Sequence, residues 1–435
     1  MTAEEISGLG PALTDYLGSF FHCFLTRPTF KHFVAYCRGL LSDLSRKSVE
    51  PIALAGGSAV RTLQEFLTHH KWDHGRMRDD IQRRIIREHL PAPGRGSDDG
   101  LGVVGIIDET SVAKKGDKTP GVQHQHCGAS GKQDNCIVTV HLAASCDDFR
   151  ALLDSDLYLP ESIWHDDRPR CQAAHIPDTV VYRPKWQIAI EQVKRAKANG
   201  VRLDWMTFDE GYGGKPQFLY DLDALGQIYV GEVPPHFRCW PTLPKYRSPQ
   251  APFVSKRVDN AAIWGKPFVG QRWKRFTLKR HTLEPQKWDV KAAQVWLQLP
   301  VNSARDSCRP TPRTYWLIVA RNVATGEIKY LVSNAPPKTS LNKLLMVAFR
   351  RWAIEHLFRV AKSEVGFDHY EGRTYVGLMR HMTLCKLTLL FVAEQTTRLR
   401  GENSGVVGID DGADRAGVEY AVPLLAGATQ QMFAS

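Results

Sequence analysis

A run of six nearly all apolar residues, GVVGII at positions 102–107, constrains the fold of this chain most, and Asp108 follows it directly. A run of strand length without polar alternation predicts a strand buried on both faces, as in the sheets of α/β proteins. A second predicted strand, residues 201–208, leads into Asp209. A helix is predicted just before it, over residues 184–198, with proline in the first turn, where it is tolerated. We therefore expect an α/β fold.

Further elements are predicted on both sides of these strands from apolar periodicity and turn residues. Strands are expected at residues 135–144, 151–159, 227–233, 273–280, 294–299, 315–320 and 328–332, the last two as a hairpin with its turn at 324–326. Helices are expected at residues 217–225, from 340 through Glu355 to about 365, and from about 378 to 398.

The first 90 residues or so are predicted to be mostly helical, because apolar residues recur at three- and four-residue spacings. The third amphipathic stretch, residues 77–90, is rich in arginine. Its arginines, with one that lies just before it, are Arg76, Arg78, Arg83, Arg84 and Arg87. Such a helix can lie on DNA or form the solvated face of a small bundle, and the sequence leaves both readings open. Residues 91–100, PAPGRGSDDG, have the composition of a linker.

Composition and charge favour a globular protein with a polyanionic partner. The 435 residues are enough for two or three domains, and the net charge of +11 attracts phosphate backbones, although charge alone is weak evidence. The nine cysteines contain no Cys-x-x-Cys pair, which indicates reduced thiols. The N-terminus lacks a secretory pattern, and no run approaches the eighteen apolar residues of a membrane span. We expect a soluble, cytoplasmic protein, associated with the nucleoid.

Asp108 and Asp209 are the first candidate site residues. Each directly follows an apolar strand, and a carboxylate at a strand end is aimed into the crevice where α/β sheets bind ligands. If the two strands are neighbours, the two carboxylates can share hard cations through oxygen ligands. Taken singly, each aspartate is better explained as the cap of the turn or helix that follows it.

The third candidate site residue is Glu355, in the segment RRWAIEHLFRVAKSEVGFDHYEGR at residues 350–373. Arg351 lies four residues before Glu355 and Lys362 seven residues after it, so all three project from roughly one side of a helix. An ordinary surface charge ladder would have the same spacing. The apolar neighbours, among them Trp352 and Phe358, indicate instead that the carboxylate is held against a core.

These residues resemble those of the DDE transposases of bacterial insertion sequences, in the branch with a Tyr-Arg-Glu-Lys signature. Arg351, Glu355 and Lys362 match the spacing of that signature, but Ala348 stands where its Tyr is expected. Four further blocks also resemble the family: GIIDETSVAKKG at 105–116, YLPESIW at 158–164, FDEGYGG at 208–214 and FDHYEGR at 367–373. The resemblance covers roughly residues 20–398. Because the signature's Tyr helps to hold a DNA end, its absence leaves the excision route open.

The resemblance implies an α/β, ribonuclease H-like catalytic core, with Asp108, Asp209 and Glu355 as catalytic metal ligands. It also implies a division of the chain into four parts. These are a helical, DNA-binding domain at 1–95, the core at 96–233 and 313–400, a β-rich insertion at 234–312 and a partly flexible tail at 401–435. The implied cofactor is a pair of Mg²⁺ ions, for which Mn²⁺ can substitute, because two such ions activate the attacking oxygen and stabilise the leaving one. The implied partner is double-stranded DNA, bound by a homodimer or larger assembly.

Several basic residues are candidate DNA ligands. Arg351 and Lys362 would hold phosphates as a fork and a point charge. Lys114 and Lys115 could contact DNA or belong to a solvated loop. In the insertion, the predicted phosphate contacts are Arg272, Lys274, Arg275, Lys279 and Arg280, whereas the aromatic residues among them are better explained by packing.

Two alternatives to the expected function, and the interpretation of a separate segment as a zinc site, also have to be considered. The predicted function is a transposase that cuts at the terminal inverted repeats of its element and joins the ends to target DNA. A regulator derived from such an enzyme and a stand-alone nuclease are the alternatives. His124, His126 and Cys127 in HQHCG suggest zinc, but no second ligand pair accompanies them, so a strand or loop beside the site is the better interpretation.

Overall fold

The computed structural model describes residues 3–92, 95–244, 256–259, 268, 271–280, 283–298 and 309–403 of a mixed α/β fold. The first part is helical, as predicted. Its helices are α1 (Ala3–Gly18), α2 (Arg27–Leu41), α3 (Val49–Ala55), α4 (Val60–Thr68) and α5 (His74–His89), with a short 3-10 turn at Phe21–Cys23. Thr26 caps α2 by accepting a hydrogen bond from the backbone N–H of Thr29, and Asp73 caps α5 in the same way at Gly75.

The first sheet contains β1 (Val104–Ala113), β2 (Gln123–Cys127), β3 (Lys132–Cys146), β4 (Phe149–Leu157) and β5 (Trp205–Phe208). The strands β1, β3 and β4 pair antiparallel, and β5 adds to the other edge of β1 in the parallel direction. Asp108 was expected to follow the end of its strand, and this expectation is wrong. The strand β1 continues to Ala113, because β3 keeps pairing with it as far as Cys136.

Helices connect β4 to β5 within the first sheet, and β5 to the second sheet. They are α6 (Arg168–Ala173), α7 (Lys185–Ala198), α8 (Glu210–Gly213) and α9 (Pro216–Ala224), and a π-type turn lies at Glu161–His165. Pro184 caps α7 with an extended backbone, as the sequence predicts for proline at a helix start. The amide of Gln192 in α7 donates to the carbonyl of Val140, which fixes α7 against β3.

The second sheet contains β6 (Val230–Val233), β7 (Arg238–Trp240), β8 (Lys256–Arg257), β9 (Lys274–Arg280), β10 (Leu283–Leu297), β11 (Tyr315–Asn322) and β12 (Ile328–Ser333). Its path runs β6-β12-β11-β10-β7-β8, with β9 beside β10. The predicted β11–β12 hairpin is confirmed, and Gly326 in its turn has φ +74°, a left-handed conformation that suits glycine. A parallel bridge between Met206 and Tyr229 connects the two sheets.

The last helices are α10 (Leu341–Phe349), α11 (Trp352–Val365) and α12 (Tyr375–Asn403). One continuous helix was predicted from residue 340 to 365, and the chain instead breaks at Arg350 and Arg351. Gly366, at φ +64°, ends α11 in a left-handed cap.

Within the described residues, the segment Tyr375–Leu399 of α12 is long and apolar enough to cross a membrane, but 89% of its most apolar window is buried inside the fold, as in a core helix. The expectation of a flexible tail concerns mainly residues 404–435, which lie outside the described residues.

The N-terminal helices share one hydrophobic core with α12 and the first sheet. Aromatic rings fill the space between α2, α4 and the start of α5. Phe24 lies 4.8 Å from Phe33, and Phe66 stacks on Trp72 at 5.3 Å, measured between ring centroids. The buried hydroxyl of Tyr16 donates to the carbonyl of Leu387 in α12 at 2.8 Å. The helical region therefore packs directly on the helix that follows α11.

Four of the five arginines of α5 bind acidic side chains, and the fifth, Arg76, is exposed. Arg78, Arg83 and Arg87 pair with Asp79, Asp80 and Glu88. Arg84 reaches across to α12, where its guanidinium binds both carboxylate oxygens of Glu394 at 2.6 and 2.8 Å. These contacts favour the bundle interpretation for most of the basic face, and contact of this helix with DNA stays a prediction.

Candidate active site

The sheet brings Asp108 and Asp209 side by side. The parallel register between β1 and β5 pairs Ile107 with Phe208, so the next residue of each strand is one of the two aspartates. Asp209 also caps α8, and its Oδ1 accepts from the backbone N–H of Gly211 at 3.0 Å. The backbone after Asp209 lies close against β6. A side chain at Gly213 would not fit there, because its Cβ would lie 1.9 Å from the carbonyl oxygen of Glu232.

Asp108 is the buried member of this pair, with 8% of its surface exposed. Its Oδ1 accepts from the backbone N–H of Glu109 at 2.7 Å. Burial, which is the largest cause, and the negative charge of Asp209 together raise the pKa of Asp108 to about 7, although the guanidinium of Arg351 opposes both effects. A buried carboxylate with a second carboxylate beside it forms a place where a cation is stabilised.

Arg351 links Asp108 to Glu355. Its Nη1 donates to Oδ2 of Asp108 at 3.1 Å, and its Nη2 donates to Oε1 of Glu355 at 3.3 Å. Arg351 is largely buried, whereas the side chain of Glu355 is 58% exposed. The guanidinium of Arg351 thus links two of the three predicted acids, Asp108 and Glu355, and Asp209 lies beside Asp108.

The three acids offer only oxygen donors, the set that Mg²⁺ and similar hard divalent ions prefer, and the carboxylate of Asp209 lies beside that of the buried Asp108. The residues therefore fit such an ion in their chemistry. Their oxygens do not all lie within 4.8 Å of one another, although all three acids are among the described residues. Glu355 is connected to Asp108 through the guanidinium of Arg351, which binds both carboxylates.

The break between α10 and α11 positions Arg351. Arg350 forms an ion pair with Asp99 and donates to the carbonyl of Asp147 at 3.2 Å, so it points away from the acids. Arg351 is then free to cap α11 and to face β1. The contribution of Asp99 was not predicted, because this residue lies in the predicted linker and has no characteristic spacing to Arg350.

Ala348 lies in a small pocket beside this break. The pocket is lined by Thr207, Phe208, Glu232, Lys329, Leu331, Ala348, Phe349, Arg351 and Trp352. Neither Tyr370 nor Tyr375 lines it, and both are buried. The hydroxyl of Tyr370 donates to the carbonyl of Thr374 at 2.9 Å. The signature's Tyr position is therefore occupied by a small side chain next to Arg351.

Lys362 and Lys114 are engaged within the fold. The Nζ of Lys362 donates to the carbonyl of Ser111 in β1 at 3.2 Å. The Nζ of Lys114 donates to the carbonyl of Tyr370 at 2.5 Å, and burial lowers the pKa of Lys114 to about 8. Both ammonium groups thus tie β1 to the segment that contains and follows α11. Lys115, in contrast, is exposed.

The predicted cations of the insertion lie along β9 or just before it. Arg272 and Lys274 are exposed, while Arg275 binds the carboxylate of Asp289 at 2.9 Å. The side chains of Lys279 and Arg280 fall outside what the structure describes. At least one aromatic residue of this region packs within the fold. The charged groups of Lys291 and Arg321 lie 5.0 and 4.7 Å from the ring centre of Trp273. Contact of this patch with DNA stays a prediction.

Tyr212 was not singled out in the sequence, although it lies in the FDEGYGG block. Its ring is buried, and its hydroxyl has no hydrogen-bond partner within the described part of the chain. Glu109, Asp209 and Asp108 all raise the pKa of this phenol, after burial, which is the largest cause. The only signal in the sequence was an aromatic residue three positions after a candidate aspartate. His124, His126 and Cys127, in contrast, belong to the edge strand β2 and form no metal-binding group with other described residues.

The chain is 32% identical over 195 residues to the probable transposase for insertion sequence element IS701 of Microchaete diplosiphon. That alignment spans 44% of this chain and 46% of the relative, less than half of its length. Among solved structures, piggyBac transposase in a synaptic complex with hairpin DNA aligns with 94% of this chain and 74% of its own, at 9% identity and a TM-score of 0.40.

A sequence model of a protein family matches more than half of the chain, residues 19–292. The matched residues include Asp108 and Asp209, whereas Glu355 lies beyond them. Its description is the DDE superfamily endonuclease, and this protein belongs to that family.

Proposed function

We propose that this protein is a DNA transposase that cuts at the terminal inverted repeats of its element and joins the 3′ ends to target DNA. The observation that carries the proposal is that Asp108 lies beside Asp209, at the end of the neighbouring strand, and is linked to Glu355 by Arg351. Two acids on neighbouring strands and a third on a later helix are the arrangement expected of a ribonuclease H-like core. Membership in the DDE superfamily, whose enzymes use divalent metal ions, supports the same reading.

In this proposal Asp108, Asp209 and Glu355 hold two Mg²⁺ ions, or Mn²⁺ in their place. The chemistry such ions supply is activation of the attacking oxygen and stabilisation of the leaving 3′-oxygen. The backbone N–H groups of Glu109 and Gly211 each donate to one oxygen of an aspartate, which orients the carboxylates before substrate arrives. The burial of Asp108 excludes water from its side of the site.

Arg351 has two roles in the proposed reaction. In the substrate-free protein it neutralises Asp108 and Glu355. Its planar fork also suits a phosphate, so we propose that it turns from the carboxylates to the scissile region when DNA binds. Lys362 stabilises β1 beside the site through Ser111 and adds positive charge there.

The DNA itself is proposed to lie across the exposed cations of Lys115, Arg272 and Lys274. Two protomers would hold two element ends, so a homodimer or larger assembly is proposed on DNA.

The test uses purified protein, Mg²⁺, labelled DNA from the flanks of the coding sequence and a supercoiled target plasmid. Joined product supports transposition, cutting without joining supports a nuclease, and binding without cutting supports a regulator. Asp108→Asn, Asp209→Asn and Glu355→Gln should each slow cutting by at least about 100-fold while the fold is retained. Glu210→Gln, which removes an exposed carboxylate directly after Asp209, is the matched control and should cut at the wild-type rate. Full activity of all three acid variants would refute the assignment.

A further inference from the structure

A second group of metal-ligating side chains lies in the helical region. His22 and Cys23 belong to the 3-10 turn before α2, and Asp80 lies in α5. Among the described residues, these three form the one group of histidine, cysteine and acidic side chains whose ligand atoms all lie within 4.8 Å of one another. None of them is part of the candidate active site.

The distances within this group resemble those of a tetrahedral metal centre. Nε2 of His22 lies 2.8 Å from Oδ2 of Asp80, and Sγ of Cys23 lies 3.3 Å from the same oxygen and 3.8 Å from Nε2. Nitrogen, sulfur and oxygen ligands around one Zn²⁺ ion are separated by roughly 3.3–3.6 Å, given metal–ligand bonds of about 2.0–2.3 Å. Small adjustments of two side chains are enough to reach these values.

The ring of His22 is oriented so that Nε2 faces the carboxylate of Asp80. Nδ1 lies 3.0 Å from the carbonyl oxygen of Ser19, which can only accept a hydrogen bond, so this contact needs the hydrogen of the ring on Nδ1. Nε2 lies 2.8 Å from Oδ2 of Asp80. In the neutral ring with this tautomer, the lone pair of Nε2 is directed towards the carboxylate, where both atoms can bind one metal ion.

The surroundings have the form of a supported metal site. A ligating histidine commonly donates its other ring N–H to a backbone carbonyl, as His22 does to Ser19. The second oxygen of Asp80 accepts from Nη1 of Arg83 at 2.5 Å, which orients the carboxylate. Cys23 is buried and the side chain of His22 is 49% exposed, so one side of the group faces protein and the other faces water.

We propose that His22, Cys23 and Asp80 bind a single Zn²⁺ ion with water in the fourth position. A thiolate, an imidazole and a carboxylate together suit this borderline ion better than Mg²⁺, which prefers oxygen ligands. The thiolate and the carboxylate balance the charge of the ion. Because Cys23 and Asp80 are 57 residues apart, the ion cross-links the turn before α2 to the arginine-rich helix α5.

The test measures Zn²⁺ binding in the full chain carrying Asp108→Asn and Asp209→Asn, so that the candidate active site takes up no metal. Titration of ZnCl₂ against a chromophoric chelator should give one site per chain. Co²⁺ should give the absorption bands of a tetrahedral ion bound to a thiolate. Cys23→Ser and Asp80→Asn should each weaken Zn²⁺ binding by about 100-fold or more, and Arg83→Gln by about 10-fold. His69→Asn changes an exposed histidine of the same region and should leave binding unchanged.

Thermal unfolding gives a second readout, since a ligand bound only by the folded state raises Tm. Zn²⁺ should raise Tm in the parent chain and not in the Cys23→Ser chain, and an equal amount of Mg²⁺ should have no such effect. Absence of a single Zn²⁺ site, or equal binding by the Cys23→Ser and parent chains, would overturn the proposal in favour of an imidazolium–carboxylate pair. Neither result depends on DNA cutting, so the proposed function stands or falls separately.

Discussion

Asp108 is stabilised by a partner that catalysis would have to displace. Its carboxylate is buried next to Asp209, and the guanidinium of Arg351 provides the compensating charge. A buried carboxylate without such a partner would be costly, so Arg351 maintains the folded state of the metal-free site. The signature spacing indicated Arg351 as a phosphate ligand, but its contact with Asp108 depends on packing between α11 and β1, which no sequence spacing reveals.

The pKa of Asp108 predicts how stability depends on pH. In the unfolded chain this carboxyl has a pKa of 3.8, and in the folded protein it is about 7, so between these values only the folded state keeps the proton. Raising the pH through this window therefore lowers stability. Asp108→Asn cannot ionise and should be more stable than the wild type above about pH 7, by about 1–4 kcal/mol.

Urea denaturation with a metal chelator, repeated from acid to alkaline pH, measures this difference. The advantage of Asp108→Asn should shrink as the pH falls towards 3.8, the unfolded-state pKa. Glu210→Gln serves as the control and should follow the wild type at every pH. A constant difference, or a less stable Asp108→Asn variant at alkaline pH, would contradict the assigned environment.

Lys114 and Lys115 are neighbours in sequence with opposite expected roles. Lys114→Met removes the donor to the Tyr370 carbonyl and should lower the free energy of unfolding by about 1–3 kcal/mol, with an unchanged salt dependence of DNA binding. Lys115→Met should leave stability within about 0.5 kcal/mol and reduce the salt slope by about one phosphate contact. Denaturation and DNA titrations at several salt concentrations distinguish the two. The same change in salt slope for both variants would show that Lys114 also binds DNA.

At the scale of elements, the apolar strands, the β11–β12 hairpin and most helices could be predicted because each carries a local pattern. Boundaries that depend on distant contacts could not, as two examples show. The strand β1 extends through Glu109 and Ser111, whose polar side chains resemble a turn, because pairing with β3 determines where it ends. The break between α10 and α11 falls on two arginines, which are good helix formers. At that break Arg350 binds Asp99, whereas Arg351 binds Asp108 in β1, so the two neighbouring arginines have different partners.

The ion pair between Arg350 and Asp99 is therefore expected to position α11. Arg350→Gln should lower the free energy of unfolding by about 1.5–3 kcal/mol, because the pair is largely buried and hydrogen-bonded. It should also slow DNA cutting, since Glu355 and Arg351 depend on the start of α11. Arg61→Gln, which breaks an exposed pair with Glu65, is the control and should cost less than about 0.5 kcal/mol. Unchanged stability and cutting in Arg350→Gln would show that other contacts fix the break.

For the whole molecule, the sequence predicted helices before a sheet but not how they share a core. The division at residue 95 stays a prediction, since a linker composition says nothing about packing across it. The apolar residues of α12 surround the helix, so it must be covered on several sides. The sheet covers one part, and α2, α4 and α5 cover another. Which partner covers which face depends on contacts more than 300 residues apart in sequence, such as Arg84 with Glu394.

This arrangement predicts that the helical region and the catalytic region unfold together. A chain that starts at residue 96 would expose the face of α12 that α2, α4 and α5 cover, so it should be unfolded or aggregated, while the full chain should show one coincident transition by circular dichroism and tryptophan fluorescence. Glu394→Gln leaves Arg84 and His89 without their carboxylate and should shift that whole transition, by about 1–3 kcal/mol, without splitting it. Glu88→Gln, which breaks an exposed ion pair with Arg87 in α5, should change the free energy of unfolding by less than about 0.5 kcal/mol. Two separate transitions, or a soluble and cooperative fragment from residue 96, would show that the two regions are independent domains.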